Sequence, residues 1–309
     1  MSLFDNCGRP LLNLRISITQ RCNLNCVYCH REGEVKRANR SAEKMTVEEI
    51  ALITRIAISI GISKVKLTGG EPLMRTDLPK IISDIAAMEG LKDLSLTTNG
   101  LLLSDGMAKK LQECGLKRLN ISLPSLNALT YRKLTGGKLD AALAGVKAAV
   151  EAQFYPVKLN MVILKDVNVD EVSSMIEYAR NTGTILQLIE LDPVNVSGGY
   201  YAAYHSSLKA QERMLKENAL SIEQRPFMQN RLIYRLHDVT VEVVHPIENT
   251  DFCMHCTRMR VTSDGKLKPC LMRNDNLTDI LIPIRQGASD QQLRELFKKA
   301  NLLREPYSK

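Results

Sequence analysis

Aromatic side chains are scarce in this chain. They account for only 5% of its 309 residues, none of them is tryptophan, and no lysine- and arginine-rich run is interleaved with them. Proteins that hold single-stranded nucleic acid stack the bases on aromatic rings along a basic groove. The sequence therefore argues against a nucleic-acid partner, although its net charge of +8 favours an anionic ligand such as a nucleotide.

Long apolar runs are also missing. No stretch approaches the roughly eighteen uninterrupted apolar residues that cross a bilayer, and the first residues contain no apolar signal region. We therefore expect no membrane partner and a cytoplasmic location. The hydrophobic content of 44% is enough for a large core, and the length suits a barrel-sized domain with a smaller appendage.

Cysteine, in contrast, is present in an unusual arrangement. Six of the eight cysteines form two short-spaced sets, which are Cys22, Cys26 and Cys29, and then Cys253, Cys256 and Cys270. Such sets favour metal binding in a reducing compartment over a disulfide scaffold. Each set is one thiol short of the four ligands of an ordinary four-iron cluster. A cluster held by three thiolates leaves one iron open for an atom of a substrate or cofactor.

Other interpretations of the cysteines remain open on spacing alone. The first set also fits a zinc knuckle or an oxidised pair. The second set also fits a zinc site completed by His255, His245 or Asp251. His255 lies between two cysteines, where its side chain usually points away, and His245 is more often a packing residue. Two incomplete sets in one chain favour two clusters, each with an open iron.

Hydrophobic periodicity predicts six strands alternating with helices. The predicted strands are 11–19, 64–68, 94–98, 118–123, 157–164 and 185–191, and the intervening helices are 46–60, 77–88, 104–114, 139–152 and 169–181. This alternation predicts right-handed crossovers and a parallel α/β sheet. Six units are too few for a closed eight-stranded barrel. We therefore predict a partial (β/α)6 barrel of the TIM type, with its polar clusters at the carboxyl ends of the strands.

The pattern changes after residue 192. We predict a turn at 197–201, a polar helix at 204–219, strands at 231–236 and 240–244, a turn at 263–265 between two short strands, and an amphipathic helix at 290–303. These features predict a barrel domain over residues 1–230. A C-terminal segment, 231–309, carries the second cysteine set and is expected to pack against the barrel.

The first cysteine set resembles the signature of the radical S-adenosylmethionine (SAM) enzymes. Its spacing is C-x3-C-x2-C with Tyr28 before the last cysteine, and Gly-Gly-Glu-Pro at 69–72 ends the second predicted strand. The resemblance implies a 4Fe–4S cluster whose open iron takes the amino and carboxylate groups of SAM and generates a 5′-deoxyadenosyl radical. By the same resemblance, the SAM contacts are Tyr28, Gly70, Ser122 and Leu191.

A narrower resemblance covers nearly the whole chain. The segments around Arg15, at 69–75, 97–100 and 120–123, and from 256 to Cys270 are similar to those of the GTP 3′,8-cyclase family of molybdenum cofactor biosynthesis. This implies a second 4Fe–4S cluster that binds guanine, and conversion of GTP to (8S)-3′,8-cyclo-7,8-dihydroguanosine 5′-triphosphate. It also implies cyclic pyranopterin monophosphate synthase as the next enzyme, a flavodoxin- or ferredoxin-type electron donor, and a homodimer.

Basic residues on the predicted strands agree with a triphosphate ligand. Arg258 and Arg260 are two residues apart and so share one face of a strand. A cation in a sheet buried on both sides needs an anion, and guanidinium groups bind phosphate in bidentate fashion. By matching motifs, the resemblance assigns GTP contacts to Arg15, Lys66, Thr97, Lys158, Arg258 and Arg260. For Thr97 and Ser122, capping of the helix after the strand is the alternative.

The chain also departs from the family pattern. Gln187 stands where many relatives carry a guanidinium group, Leu191 replaces a methionine, Lys66 replaces an arginine, and the double-glycine tail of many members is absent. These changes leave the details of substrate positioning open. Two other functions remain to be weighed: a radical SAM enzyme that modifies a peptide with the help of an auxiliary cluster, and a basic zinc protein that binds RNA.

Overall fold

A single twelve-stranded sheet organises the part of the protein that the structure describes, which is residues 3–35 and 45–308 of a computed structural model. In chain order, the strands are β1 (Asn13–Ser17), β2 (Lys64–Thr68), β3 (Asp93–Thr98), β4 (Arg118–Ser122), β5 (Val157–Ile163), β6 (Ile185–Glu190), β7 (Ser221–Arg225), β8 (Arg231–Leu236), β9 (Val239–Val244), β10 (Arg258–Val261), β11 (Lys266–Lys268) and β12 (Thr278–Asp279). Their order in space is β12-β11-β10-β1-β2-β3-β4-β5-β6-β9-β8-β7.

The strands β1 to β6 lie side by side in sequence order, and each neighbouring pair is parallel. The helices of this half are α1 (Val47–Ser59), α2 (Leu78–Ala86), α3 (Asp105–Glu113), α4 (Ala128–Thr135), α5 (Leu139–Glu151) and α6 (Val172–Thr182). The strands have buried branched and leucine side chains that pack under the helices, as expected of a parallel sheet. The predicted partial (β/α)6 barrel is therefore confirmed.

Helix α1 illustrates how closely local sequence sets an element. The Thr46 hydroxyl accepts a hydrogen bond from the Glu49 N–H, and the Glu49 carboxylate accepts one from the Thr46 N–H, which together form a capping box at the start of the predicted helix. Helix α4, in contrast, is not in the sequence prediction. The Asn127 side chain caps its start, and Gly136 ends it in the left-handed conformation at a φ of 78°.

The prediction of a turn at 197–201 is wrong. The segment is the start of helix α7 (Gly198–Tyr204), because the Ser197 hydroxyl caps it by accepting from the Tyr200 N–H. The predicted polar helix is shorter than expected and is α8 (Lys209–Asn218). The remaining helices are α9 (Thr250–Met254), α10 (Leu281–Arg285) and α11 (Asp290–Leu302). No helix in the described ranges is long and apolar enough to cross a bilayer.

The C-terminal strands extend the sheet at both of its edges. Strand β9 is parallel to β6, and β8 and β7 follow it in antiparallel order. At the opposite edge, β10 is parallel to β1, and the predicted turn at 263–265 joins it to the antiparallel strand β11. The domain boundary at residue 230 stays a prediction, and strands β7 and β8 pair across it.

Candidate functional site

A cavity of about 570 Å³ runs along the inner face of the parallel strands to their carboxyl ends. All predicted site residues line it except Leu191. They are Arg15, Cys22, Cys26, Tyr28, Cys29, Lys66, Gly70, Thr97, Ser122, Lys158, Cys253, Cys256, Arg258, Arg260 and Cys270. Their roles stay predictions, but the fold brings them to one enclosed space. The carboxyl ends of β1 to β4 meet at one edge and bring the first cysteine set, Gly70, Thr97 and Ser122 together. Cys256 precedes β10, which pairs in parallel with β1, so the second set reaches the cavity near the amino ends of the strands.

The first cysteine set lies on the loop that leaves β1. None of its cysteines forms a disulfide bond among the described residues, and the backbone N–H groups of Leu24 and Arg31 point at the sulfur atoms of Cys22 and Cys29, each at 3.4 Å. Burial, together with the thiols of Cys29 and Cys22, raises the pKa of Cys26 to about 12. Three thiols that affect one another and face a common cavity are a donor set suited to a cluster.

The end of helix α4 supports this loop. The N–H groups of Asn25 and Val27 donate to the carbonyl oxygens of Thr135 and Leu134. Leu191 lies beneath the same region, fully buried in a small apolar cluster with Leu134, against which Tyr28 packs. Leu191 therefore belongs to the apolar cluster under Tyr28 and does not line the cavity wall.

The two glycines of the Gly-Gly-Glu-Pro motif pack against the first cysteine loop. A Cβ atom at Gly70 would lie 2.1 Å from the carbonyl oxygen of Arg21, and one at Gly69, where φ is +149°, would lie 2.4 Å from that of Thr19. The N–H of Gly70 donates to the Thr19 carbonyl at 2.7 Å. The glycines thus allow the turn after β2 to contact the backbone just before the first cysteine set.

Glu71 of the same motif is fully buried and organises the end of β3. It accepts hydrogen bonds from the Thr98 hydroxyl and the Asn99 N–H, both at 2.7 Å, and burial raises its pKa. Thr98 therefore has a structural role, since its hydroxyl donates to Glu71 and accepts from the Gly100 N–H. Thr97 differs, because its buried hydroxyl has no hydrogen-bond partner among the described residues and lines the cavity. An unpartnered hydroxyl of this kind is suited to a ligand contact.

The second cysteine set spans helix α9, the start of β10 and the turn after β11. Its cysteines also form no disulfide bond among the described residues. Burial opposes the charged form of Cys256, yet the guanidinium groups of Arg304 and Arg258 outweigh it and lower the pKa of this thiol. Burial and the Cys256 thiol raise the pKa of Cys270. These three thiols also form a donor set suited to a cluster.

The histidines that could complete a zinc site have other partners. His255 Nδ1 lies 2.9 Å from the Asp251 carbonyl oxygen, and His245 lies between the carboxylates of Glu190 and Glu212, at 3.6 and 3.0 Å. Within residues 3–35 and 45–308, no three histidine, cysteine or acidic side chains are grouped so as to hold a single metal ion.

A short segment joins the two cysteine sets. We call residues 30–34 the link segment, because it follows Cys29 and packs against the loop of Cys270. A Cβ atom at Gly33, where φ is +73°, would lie 2.4 Å from the carbonyl oxygen of Leu271. The Glu34 carboxylate accepts from the N–H and the hydroxyl of Ser263, at 3.0 and 2.6 Å. The two loops are thus in direct contact.

Three cations form a row across neighbouring strands. Arg260 on β10 is in register with Arg15 on β1, and Arg15 is in register with Lys66 on β2. Burial and the surrounding guanidinium groups, that of Arg15 first, lower the pKa of Lys66 well below its usual value. This concentration of buried positive charge is the feature that an anion would relieve.

Two buried carboxylates, which the sequence analysis did not identify, neutralise part of this charge. Glu32 accepts from Arg260 Nη1 at 2.6 Å and lies 3.3 Å from Arg15 Nη1. Glu242 forms an ion pair with Lys158 and also accepts from Arg225 and Gln187. Lys158 therefore has its anion within the protein, contrary to the expectation that it needs an external one. No local pattern identifies such pairs, because Arg260 and Glu32 are 228 residues apart.

Lys66 and Arg258 are two predicted site cations that lack this compensation. Lys66 Nζ donates to the neutral Asn120 side chain at 2.7 Å. Among the described residues, neither Lys66 nor Arg258 forms an ion pair with a carboxylate, and burial together with Arg231 and Arg15 lowers the pKa of Arg258. Both cations are therefore available to an anionic ligand.

Comparison with known proteins agrees with this geometry. Residues 16–179 match the family model described as the Radical SAM superfamily, and residues 184–309 match the one described as Molybdenum Cofactor Synthesis C. The fold and the three-cysteine loop are thus those of a radical SAM enzyme, a class that uses a 4Fe–4S cluster and SAM.

Similar proteins of known name indicate which family of radical SAM enzymes this chain resembles. The probable GTP 3′,8-cyclase of Pyrococcus horikoshii is 47% identical over 99% of this chain and 98% of its own length, and that of Methanothermobacter marburgensis is 46% identical over 99% of both. This chain belongs to the GTP 3′,8-cyclase family.

Solved structures share the fold. The structure of anSMEcpe with bound AdoMet superposes with a TM-score of 0.65 at 18% identity, covering 94% of this chain and 83% of that one. Streptococcus suis SuiB superposes with a TM-score of 0.64 at 18% identity, and the match covers 85% of this chain and 60% of SuiB. At such identities the likeness concerns the fold alone.

Proposed function

We propose that this protein converts GTP to (8S)-3′,8-cyclo-7,8-dihydroguanosine 5′-triphosphate, the first step of molybdenum cofactor biosynthesis. One observation carries the proposal: a single cavity contains two three-cysteine sets and the cation row of Arg260, Arg15 and Lys66. A site for SAM alone has no use for the second set or for the row. Both are accounted for if a nucleoside triphosphate lies between the sets.

Two clusters fit the two sets of cysteines, none of which forms a disulfide bond among the described residues. The first would be held by Cys22, Cys26 and Cys29, and the second by Cys253, Cys256 and Cys270. When bound, the first cluster and SAM would supply one electron and the radical chemistry that removes a hydrogen atom from C3′ of the ribose. A bond then forms between C3′ and C8 of guanine, and one electron and one proton complete a product that is an isomer of GTP.

The SAM side of the cavity consists of Tyr28, Gly70, Ser122 and Leu191 in this proposal. Gly70 lines the cavity, and its lack of a side chain lets its backbone lie against the cysteine loop at Arg21. Tyr28 and Ser122 line the cavity, whereas Leu191 acts from below by packing with Tyr28. This position explains how leucine can replace a longer side chain at residue 191.

The triphosphate side consists of Arg15, Lys66, Lys158, Arg258 and Arg260, with Thr97 on the neighbouring strand. Arg15 and Arg260 each give one terminal nitrogen to Glu32. The other nitrogens of each guanidinium group remain for phosphate, so Glu32 orients two arginines without using up their donors. Lys158 would share its charge between GTP and Glu242.

Further features rest on the family resemblance. We propose that cyclic pyranopterin monophosphate synthase consumes the product, that a flavodoxin- or ferredoxin-type protein supplies electrons, and that the enzyme is a cytoplasmic homodimer. We also propose a barrel domain over residues 1–230 and a cluster-binding segment over 231–309.

The experiment is an anaerobic reconstitution of the full chain with iron and sulfide, followed by incubation with dithionite, SAM and GTP. Mass spectrometry should detect 5′-deoxyadenosine together with a product isomeric with GTP. Reactions without SAM, and with ATP in place of GTP, are the controls. Formation of 5′-deoxyadenosine with unchanged GTP would exclude GTP as the substrate and keep the radical SAM class. Absence of 5′-deoxyadenosine would contradict the whole proposal.

A further inference from the structure

Three charged side chains from opposite ends of the chain meet behind the second cysteine set. Asp5 and Arg9 belong to the segment before β1, and Arg304 follows helix α11. The exposed fraction of the side chain is 0% for Asp5, 4% for Arg9 and 1% for Arg304. We call these three residues the terminal clamp. Charged groups are buried this deeply only when they are paired or serve another charge.

The terminal clamp contacts the backbone of two cysteines of the second set. Arg9 Nη1 donates to the carbonyl oxygen of Cys253 at 2.8 Å, and Arg304 Nη2 donates to that of Cys256. Both guanidinium groups also reach Asp5 Oδ2, from Arg9 Nε at 2.7 Å and from Arg304 Nη1 at 3.4 Å. One carboxylate thus links the two arginines that hold the cysteine backbone.

Hydrogen bonds between the two terminal segments hold the terminal clamp in position. The Asn301 side chain donates to the carbonyl oxygen of Phe4 at 2.8 Å, and the Asn6 side chain donates to that of Leu302 at 3.2 Å. The Asn301 side chain also accepts from Arg304 Nη1 at 3.0 Å. The segment before β1 and the end of α11 therefore form one support for the second cysteine set.

The charges of the terminal clamp do not cancel. Two guanidinium groups and one carboxylate leave a net charge of about +1 in a buried position, which is costly unless an anion lies nearby. The nearest source of negative charge is the second cysteine set, since a cluster there is ligated by thiolates. Arg304 does not line the cavity, so its charge acts on the cysteines from behind and not on a substrate.

We propose that Asp5, Arg9 and Arg304 position the second cluster and that the net positive charge of the three raises its reduction potential. The proposal rests on the function proposed above, which assigns a cluster to Cys253, Cys256 and Cys270. The hydrogen bonds fix the backbone of two ligands, and the net positive charge favours the more negative, reduced state of the cluster. Net charge and nearby hydrogen bonds are established controls of the potential of such clusters.

The test isolates the second cluster in the full chain. Replacing Cys22, Cys26 and Cys29 with alanine leaves only the second set to bind iron. In this background, anaerobically reconstituted variants are compared by iron content and by an EPR-monitored redox titration. Arg304→Met should shift the midpoint potential to a more negative value, and Arg304→Lys should restore most of the difference. Asp5→Asn should shift it in the opposite direction, to a more positive value.

The opposite signs separate an electrostatic role from loosened packing, because loosening would move both variants in one direction. Arg294→Met, on the exposed side of the same helix α11, is the matched control and should leave the potential unchanged. Equal potentials in Arg304→Met and the background protein would overturn the inference. If Arg304→Met binds no iron, Asp5→Asn decides, and a potential that does not rise overturns it. Failure of the background protein itself to bind iron would instead overturn the proposed second cluster.

Discussion

The two cysteine sets contain the same number of thiols but lie in opposite electrostatic surroundings. At the first set, burial and the other thiols raise the pKa of Cys26, and backbone N–H groups are the donors to sulfur. At the second set, backbone N–H groups also donate to sulfur and burial raises the pKa of Cys270, but the guanidinium groups of Arg304 and Arg258 outweigh burial at Cys256 and lower its pKa. The difference shows how one cavity can treat two similar metal sites differently.

This difference matches the charges of the two proposed ligands. SAM carries a positive sulfonium, which suits a thiolate site without strong cationic compensation. GTP carries several negative charges, which suit the side of the cavity where Arg258, Arg260, Arg15 and Lys66 lie. The charge distribution thus favours SAM at the first set and the nucleotide near the second.

The largest predicted effect comes from removing one thiol from either set. Cys26→Ala should abolish formation of 5′-deoxyadenosine, because the first cluster loses a ligand. Cys270→Ala should keep 5′-deoxyadenosine formation and lose conversion of GTP. Chromatography of both products measures this, with Cys114→Ala, outside both sets, as the control. Normal cyclisation of GTP by Cys270→Ala would remove the distinction between the two sets.

A large but incomplete effect is predicted for the cation row. Arg260→Ala should weaken GTP binding by roughly 30-fold, since a charge-assisted hydrogen bond contributes about 2 kcal/mol. SAM binding should stay within about twofold. Equilibrium binding of each ligand to the reconstituted protein measures the two constants, with Arg294→Ala as the surface control. An equal loss of affinity for GTP and for SAM would indicate damaged folding. It would also contradict the proposal that the two ligands bind at different sides of the cavity.

A third prediction concerns His245, whose positive charge is paired with two carboxylates. Burial would lower the pKa of His245, but Glu190 and Glu212 outweigh it and raise the pKa to about 9. His205 also contacts Glu190, and the Tyr234 hydroxyl contacts Glu212. A raised pKa contributes stability that is complete below about pH 6.5 and is lost as the pH rises through about 9.

His245→Gln should therefore destabilise the protein by about 1 to 2 kcal/mol at pH 6, a value reduced by solvent screening. The difference from the parent protein should shrink toward pH 10, and GTP affinity should not change. Thermal unfolding across this pH range measures the first effect. A difference that grows with pH would mean that His245 is neutral in the folded protein.

The smallest effect is expected far from both cysteine sets and gives the baseline for the others. Thr46→Ala removes the cap of α1 and should cost about 1 kcal/mol of stability. Iron content per chain should stay the same as in the parent protein. Chemical denaturation and iron analysis measure the two quantities. Loss of iron in this variant would show that general destabilisation alone empties the sites.

Much of the fold follows from local signals in the sequence. The capping box at Thr46, the six alternating strands and the hairpin at 263–265 are all set by residues close together in the chain. Helix α7 was mispredicted because Gly198 and Gly199 disfavour a helix, while the Ser197 cap overrides them. That β9 and β10 join opposite edges of one sheet depends on tertiary packing, which no local pattern encodes.

The candidate site divides in the same way. Motifs at the carboxyl ends of β1 to β4 bring the first cysteine set, Gly70, Thr97 and Ser122 together, and the order of the parallel strands makes this predictable. The second cysteine set joins them only because β10 pairs with β1. Glu32 and Glu242 could not be predicted, because each meets its cations only through long-range contacts. The compensation of Lys158 and the position of Leu191 below Tyr28 are further results of such contacts.

Gly33 has a consequence for how this chain can diverge. Its backbone touches the Leu271 carbonyl, so any larger residue must push the loop of Cys29 away from the loop of Cys270. The absence of a side chain at Gly33 thus allows the two cysteine loops to approach each other this closely. A substitution elsewhere can alter the walls of the cavity, whereas a substitution at Gly33 changes the distance between the two cysteine loops.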